Sequence, residues 1–219
     1  AVIDAGFLIA DQCETFDSLF INNQILGTWD FVSRDANVYD DHYHGTYVLS
    51  TIAGNSPGEL IGTAPKASFW LLRSEDAATE FLVEEFNWVC AAEFADSVGA
   101  DIINSSLGYT TFDNPLQNHV FADLNGSTAM ASIGAEIAAS KGIIVCNSAG
   151  NSGNDPWFHI AVPADANNIL TVGAVDSLEN IANFSSRGYS ADGRIKPDVA
   201  AQGVATVGQH RPGIFVTGN

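Results

Sequence analysis

The sequence predicts an α/β fold built on a mostly parallel sheet with helices on both faces. Three observations point there. Short uncharged apolar runs such as "ASFWLL" (67–72) and "IIVC" (143–146) have the length of buried strands. Stretches with helical spacing and glycine stops lie between such runs. Four runs end in polar residues, "VID", "NSSLG", "NSAGN" and "VGAVD", and the carboxyl ends of strands are where open parallel sheets build their sites.

Taken in order, "AVID" (1–4) reads as a strand. "HGTYVLSTIAG" (44–54) reads as a helix ended by Gly54. "ASFWLL" follows as a strand. In "LVEEFNWVCAAEFADSVG" (82–99), Leu82, Phe86, Cys90 and Phe94 recur at four-residue steps, which predicts a helix with that apolar stripe, closed by Gly99. "ADIINSSLG" (100–108) is a strand running into a polar loop, and the turn-rich segment 109–128 reads as a surface excursion. "GAEIAASKG" (134–142) is a helix end with Lys141 and a Gly142 cap. "IIVCNSAGN" (143–151) enters a glycine-rich loop, and "ILTVGAVD" (169–176) is a further strand. With no repeat, low-complexity tract or linker, residues 1–219 read as one domain. The chain opens inside a strand and stops straight after an apolar segment, so a domain incomplete at both ends is expected.

The 219 residues are 46% hydrophobic and only 16% charged, which marks a folded chain with a sizeable core. Its 26 acidic residues against 8 basic ones give a formal charge of −18. Such a chain is repelled by phosphate backbones, which excludes nucleic acid as a partner. No apolar run approaches the roughly 18 residues of a membrane span. Cys13, Cys90 and Cys146 are odd in number and scattered, so neither a disulfide framework nor a zinc motif is present. Cys146 ends an apolar run and reads as an inert buried thiol. Trp29, Trp70, Trp88 and Trp157 share no spacing and read as core or rim residues.

Three segments carry chemistry. Asp4 ends a strand, and on its own such a residue is a turn or cap residue. "DDHYHGTYVLS" (40–50) holds His42 and His44, which at i and i+2 do not share a helix face and so do not form a helical zinc pair. His44 lies at the helix start beside Gly45 and Thr46. "NSAGNSGND" (147–155) lacks both the dinucleotide and the P-loop glycine patterns. Within it Asn151 offers a neutral amide donor, suited to a developing oxyanion.

"VIDAG", "HGTYVLSTIAG", "INSSLG", "NSAGN" and "FSSRGYSADGRIKPDVAAQG" occur in this order along nearly the whole chain. Together they resemble the subtilisin-like serine proteases, the subtilases. The resemblance implies a three-layer sandwich of a mostly parallel sheet between helices. It implies a serine endopeptidase with an Asp, His, Ser triad that acts on protein or peptide substrates through an acyl-enzyme. By motif, Asp4 matches the triad aspartate, His44 the triad histidine and Asn151 the oxyanion donor. Ser106, Leu107 and Gly108, with Ser148, Ala149 and Gly150, match the two segments that flank a bound peptide. Secretion is implied on the same ground. No cofactor is expected for the chemistry.

The chain also departs from the family pattern. The family's nucleophile lies in a Gly-Thr-Ser segment expected just beyond "FVTGN", after Asn219, so the 219 residues alone are expected to be inactive. Ser105, Ser106, Ser185 and Ser186 belong to other motifs. Tyr47 stands where many members have a second histidine, Leu49 and Ser50 replace a common Ala-Gly pair, and Gln202 replaces a common proline. "AGNSPGELIG", with Glu59, and "DLNGS" (123–127) lie where some members carry structural calcium, but neither holds a clear ligand set, so no residue is assigned to a metal. "GRIKPDV" reads as structural. Two rival readings remain. One is a non-catalytic subtilase-like binding domain, which a missing serine beyond Asn219 would favour. The other is an unrelated α/β small-molecule binder using the "NSAGNSG" loop.

Overall fold

The computed structural model describes residues 1–218. They group into two compact units, Ala1–Ala77 with the stretch from Ala205 onward, and Ala78–Val204. In chain order the first part holds β1 (Val2–Asp4), α1 (Asp17–Ile21), β2 (Ile25–Asp30), α2 (His44–Ala53), the short β3 (Asn55–Ser56) and β4 (Leu60–Ile61), and β5 (Phe69–Arg73). The second unit holds α3 (Val83–Ser97), β6 (Ile102–Ser105), α4 (Met130–Ser140), β7 (Ile144–Ser148), β8 (Leu170–Val175), the short β9 (Gly188–Tyr189) and β10 (Ile195–Lys196), and β11 (Val199–Gln202). The first unit is completed by β12 (Thr206–Arg211) and β13 (Ile214–Gly218).

The fold class is α/β with mostly parallel strands, as the alternation of runs predicts. In the first unit β5 lies between β1 and β2, parallel to both, with Asp4 opposite Arg73 and Asp30 opposite Arg73. Three charged side chains therefore share one level at the carboxyl ends of neighbouring strands. The core beneath them contains Val2, Phe7, Phe16, Leu19, Val38, Leu49 and Leu71. Helix α2 starts at His44 and stops at Gly54, as the glycine predicts.

In the second unit β6, β7, β8 and β11 are parallel neighbours, with Ser105 opposite Asn147, Ser148 opposite Val172 and Gln202 opposite Val175. Alternation divides their faces. Ile103, Val145 and Thr171 are buried, while Ile102, Ile144, Leu170 and Val199 are exposed. Cys146 shares the second orientation. It is half-buried and not the buried thiol expected, because it points away from the Val145 face; the buried cysteine is Cys13.

Helix α3 corrects the predicted stripe. Phe86 and Cys90 are exposed, and the buried face runs through Glu84, Glu85, Trp88, Ala91, Ala92 and Ala95. Small residues let α4 pack closely: a Cβ at Gly134 would lie 2.7 Å from Val89 Cγ2. Glu85 is tolerated inside because both oxygens are engaged. Its Oε1 is 2.6 Å from His119 Nε2, and its Oε2 accepts the Ala131 N–H at 3.0 Å in the first turn of α4. His119 thereby ties the 109–128 segment to the helix pair.

Burial works to lower the His119 pKa, but the Glu85 hydrogen bond and charge, then Asp123 and Asp165, raise it above its ordinary value. The pair's stabilisation is therefore full below the unfolded value of about 6.5 and is lost as pH rises through the folded one. Urea unfolding should show stability falling from pH 6 towards pH 9, with His119→Gln flattening the slope. An unchanged slope in that variant would show that other groups carry it.

Candidate active site

Asp4 is fully buried at the end of β1. Its Oδ1 accepts the Ala5 N–H at 2.8 Å and lies 2.7 Å from His44 Nδ1. Facing a carboxylate, Nδ1 is the ring nitrogen that carries the proton, which leaves Nε2 of the neutral ring as an acceptor. The His44 side chain is 40% exposed, so that second nitrogen is approachable. Burial lowers the imidazole pKa, but the hydrogen bond and charge of Asp4, with a further contribution from Glu75, raise it overall.

Glycines make the approach of α2 to β1 possible. A Cβ at Gly45 would lie 2.9 Å from Asp4 Cβ and would also strike the Gly6 carbonyl oxygen, which instead accepts the Gly45 N–H at 2.9 Å. Gly6 has φ 141° and passes under the His42 backbone, where a Cβ would lie 2.8 Å from its nitrogen. His42 is the lesser of the two histidines. Its Nδ1 accepts the His44 N–H over 3.4 Å, and its ring centroid is 6.4 Å from that of His44.

One supporting residue escaped the sequence reading. Arg73 is buried at the end of β5. It donates to Asp30 Oδ2 at 2.8 Å and to the Ala5 carbonyl at 3.2 Å, and it pairs with Asp41 Oδ2 at 2.7 Å. It therefore links the residue after Asp4 to the loop that delivers His44. Nothing local in the sequence marks this role, because its partners come from three separate segments.

In the second unit Ser106, Leu107 and Gly108 leave β6, while Ser148, Ala149 and Gly150 lead from β7 to the exposed Asn151. The two segments converge on Ala161, which the sequence reading also missed. A Cβ at Gly108 would lie 2.8 Å from Ala161 Cβ, and one at Gly150, where φ is 103°, would lie 3.3 Å from it. The Asn147 amide spans the segments, donating to the Leu107 carbonyl at 3.2 Å and the Ser148 carbonyl at 2.8 Å. A cavity of about 230 Å³ opens beside them, lined by Asn104, Ser106, Ser148, Asn151 and Gln202 among others.

The family model for the subtilases matches residues 1–216. The chain belongs to the subtilase family. Its relatives include serine protease AprX of Bacillus subtilis (strain 168), 30% identical over 99% of this chain and 48% of that protein. Subtilisin E of the same organism is 34% identical over 88% of this chain and 44% of its own length. This subtilase chain thus spans about half the length of the curated relatives it matches. Among solved structures, the prenylagaramide maturation protease PagA superposes with a TM-score of 0.71 at 20% identity, over 99% of this chain and 67% of that one. MycP1 without its propeptide gives 0.69 at 22%, over 98% and 67%. At these identities the likeness concerns the fold. The family match sets aside the unrelated small-molecule binder.

Several subtilase motif residues have structural work in this chain. Ser105 Oγ accepts the Trp88 indole N–H at 2.9 Å, Ser185 Oγ the Ala174 N–H at 2.9 Å, and Ser186 Oγ the Ser152 N–H at 3.0 Å. Asp198 Oδ2 accepts from buried Lys196 at 2.7 Å and from the Thr171 N–H at 2.8 Å, in keeping with a structural role for "GRIKPDV". Among the described residues no helix is long and apolar enough to cross a membrane.

Proposed function

We propose that this chain carries the base and orienting carboxylate of a serine endopeptidase that hydrolyses peptide bonds through an acyl-enzyme. The observation that carries the reading is the 2.7 Å contact between buried Asp4 Oδ1 and Nδ1 of the partly exposed His44 side chain. A serine hydroxyl is a weak nucleophile until a base takes its proton. His44 Nε2 takes that proton as the hydroxyl attacks the scissile carbonyl, then returns it to the leaving amine. Asp4 holds the tautomer and stabilises the imidazolium. The Asn151 amide donates to the oxyanion of the tetrahedral intermediate. Ser106 to Gly108 and Ser148 to Gly150 flank the bound peptide.

The nucleophile in this reading follows Asn219, and the 219 residues alone do not cleave peptides. No cofactor enters the steps. The substrate is a protein or peptide met outside the cell. The experiment is fluorophosphonate labelling with mass mapping. An adduct beyond Asn219 in a polypeptide extended by its own following sequence, and none on the 219 residues, is the expected result; a serine adduct within them refutes the assignment. In the extended polypeptide Asn151→Ala should lower kcat by about 10²–10³, the loss typical of one oxyanion donor, with little change in KM. A kcat within about twofold of the parent would remove Asn151 from the mechanism.

A further inference from the structure

The helix that begins with His44 has a second attachment. The hairpin β12–β13 packs on α2 and places Thr206 opposite Gly218 and Gly208 opposite Val216. Tyr47, one turn after His44, donates its hydroxyl to the Thr206 carbonyl at 2.7 Å. Its ring lies flat under the strand where Gly208 leaves space: a Cβ there would come within 2.8 Å of Cδ2 and 2.9 Å of Cζ. The hydroxyl also reaches the end of β13, where a Cβ at Gly218 would lie 2.6 Å from it. Ser50, fully buried one turn further on, accepts the Gln209 N–H at 2.9 Å and donates to the Tyr47 carbonyl at 2.6 Å. At the hairpin turn, the Gly213 N–H donates to the Glu14 carboxylate at 2.9 and 3.0 Å.

Two side chains of α2, Tyr47 and Ser50, thus bond the backbone of β12. A phenol is longer than an imidazole and spans from α2 to a backbone carbonyl, and a hydroxymethyl supplies an acceptor that glycine lacks. Glycines at 208 and 218 are the matching spaces on the hairpin.

We propose that Tyr47 and Ser50 are positioning residues: they lock β12–β13 in register on the helix that carries His44. The inference rests on the proposed endopeptidase reading, in which the nucleophile follows Asn219. A hairpin held only by its own ladder could slide along α2. The phenol and the hydroxymethyl, one turn apart on the helix, each bind a different backbone group of β12 and remove that freedom. A displacement of about 1 Å at the nucleophile is enough to cost up to about 10²-fold in rate.

Tyr47→Phe removes only the hydroxyl, and Ser50→Ala removes the acceptor for Gln209 together with the donor to the Tyr47 carbonyl. On the 219-residue chain, hydrogen exchange by NMR should show the hairpin amides of both variants exchanging about tenfold or more faster, with those of β1 and β5 unchanged. In the extended polypeptide, kcat per titrated serine should fall about tenfold or more, with KM within about twofold. Unchanged hairpin exchange overturns the clamp. Faster exchange with unchanged kcat overturns the positioning role, as does a loss of activity that only follows the titrated serine. His44→Ala separates the two readings: if it keeps full turnover, the endopeptidase reading fails, while the exchange result still decides whether the clamp exists.

Discussion

Asp4→Asn and His44→Ala should each remove nearly all peptidase activity from the extended polypeptide while leaving it folded. Asn at position 4 would keep the shape but present an amide to Nδ1, favouring the wrong tautomer, and the expected loss in kcat is about 10⁴-fold. His44→Ala removes the base outright. Because the residues act as one unit, Asp4→Asn combined with His44→Ala should cost little more than His44→Ala alone. Steady-state kinetics normalised to the folded fraction checks this, and full turnover in either single variant would refute the assigned roles.

The raised pKa of His44 gives the same pair two opposite pH dependences. As a base it must be neutral, so activity should fall as pH drops through a value above the ordinary 6.5 or so of a histidine. As an ion pair it stabilises the fold fully below the unfolded value and loses that contribution as pH rises through the folded one. The protein therefore gives up the pair's stabilisation in the pH range where the imidazole can act. Asp4→Asn, which deletes the main raising influence, should move the acid limb of any residual activity to lower pH.

Much of this site is legible in the sequence because its constraints are local. "VID" sets a carboxylate at a strand end, and "HG" sets an imidazole at a helix start with a glycine that clears Asp4 Cβ. The loops after β6 and β7 announce themselves by polar residues where apolar runs stop. What stays hidden depends on distant partners. The inward face of α3 includes Glu85, which no periodicity rule assigns to a core; it is explained by His119, 34 residues away, and by the Ala131 N–H, 46 residues away. Phe86 and Cys90 are outside because the alanine face fits α4 more closely. The role of Tyr47 becomes visible only when Thr206 is placed over it, 159 residues downstream.

Arg73→Met should be among the most destabilising single substitutions in the first unit, at about 3–5 kcal/mol. The guanidinium and the Asp30 carboxylate are only 4% and 2% exposed. Removing the cation leaves Asp30 with its backbone donors at Val32 and Ser33, 2.7 and 2.9 Å away, but without its counter-charge. Asp41, 41% exposed, can return to water and should contribute little to the loss. The reasoning predicts an asymmetry. Arg73→Met with Asp30→Leu removes both members of the pair, and it should be more stable than Arg73→Met alone, because the penalty lies in the orphaned Asp30 carboxylate more than in the lost attraction. Urea unfolding of the parent, both single variants and the pair forms a cycle that measures this coupling. If Arg73→Met costs less than about 1 kcal/mol, water replaces the guanidinium and the ion pair is not a structural support. The cation also ties the Ala5 carbonyl to Asp41, so its loss should loosen the mount of the Asp4–His44 pair. In Arg73→Met the amides around Ala5 and Asp41 should therefore exchange faster, and hydrogen exchange by NMR reads that loosening.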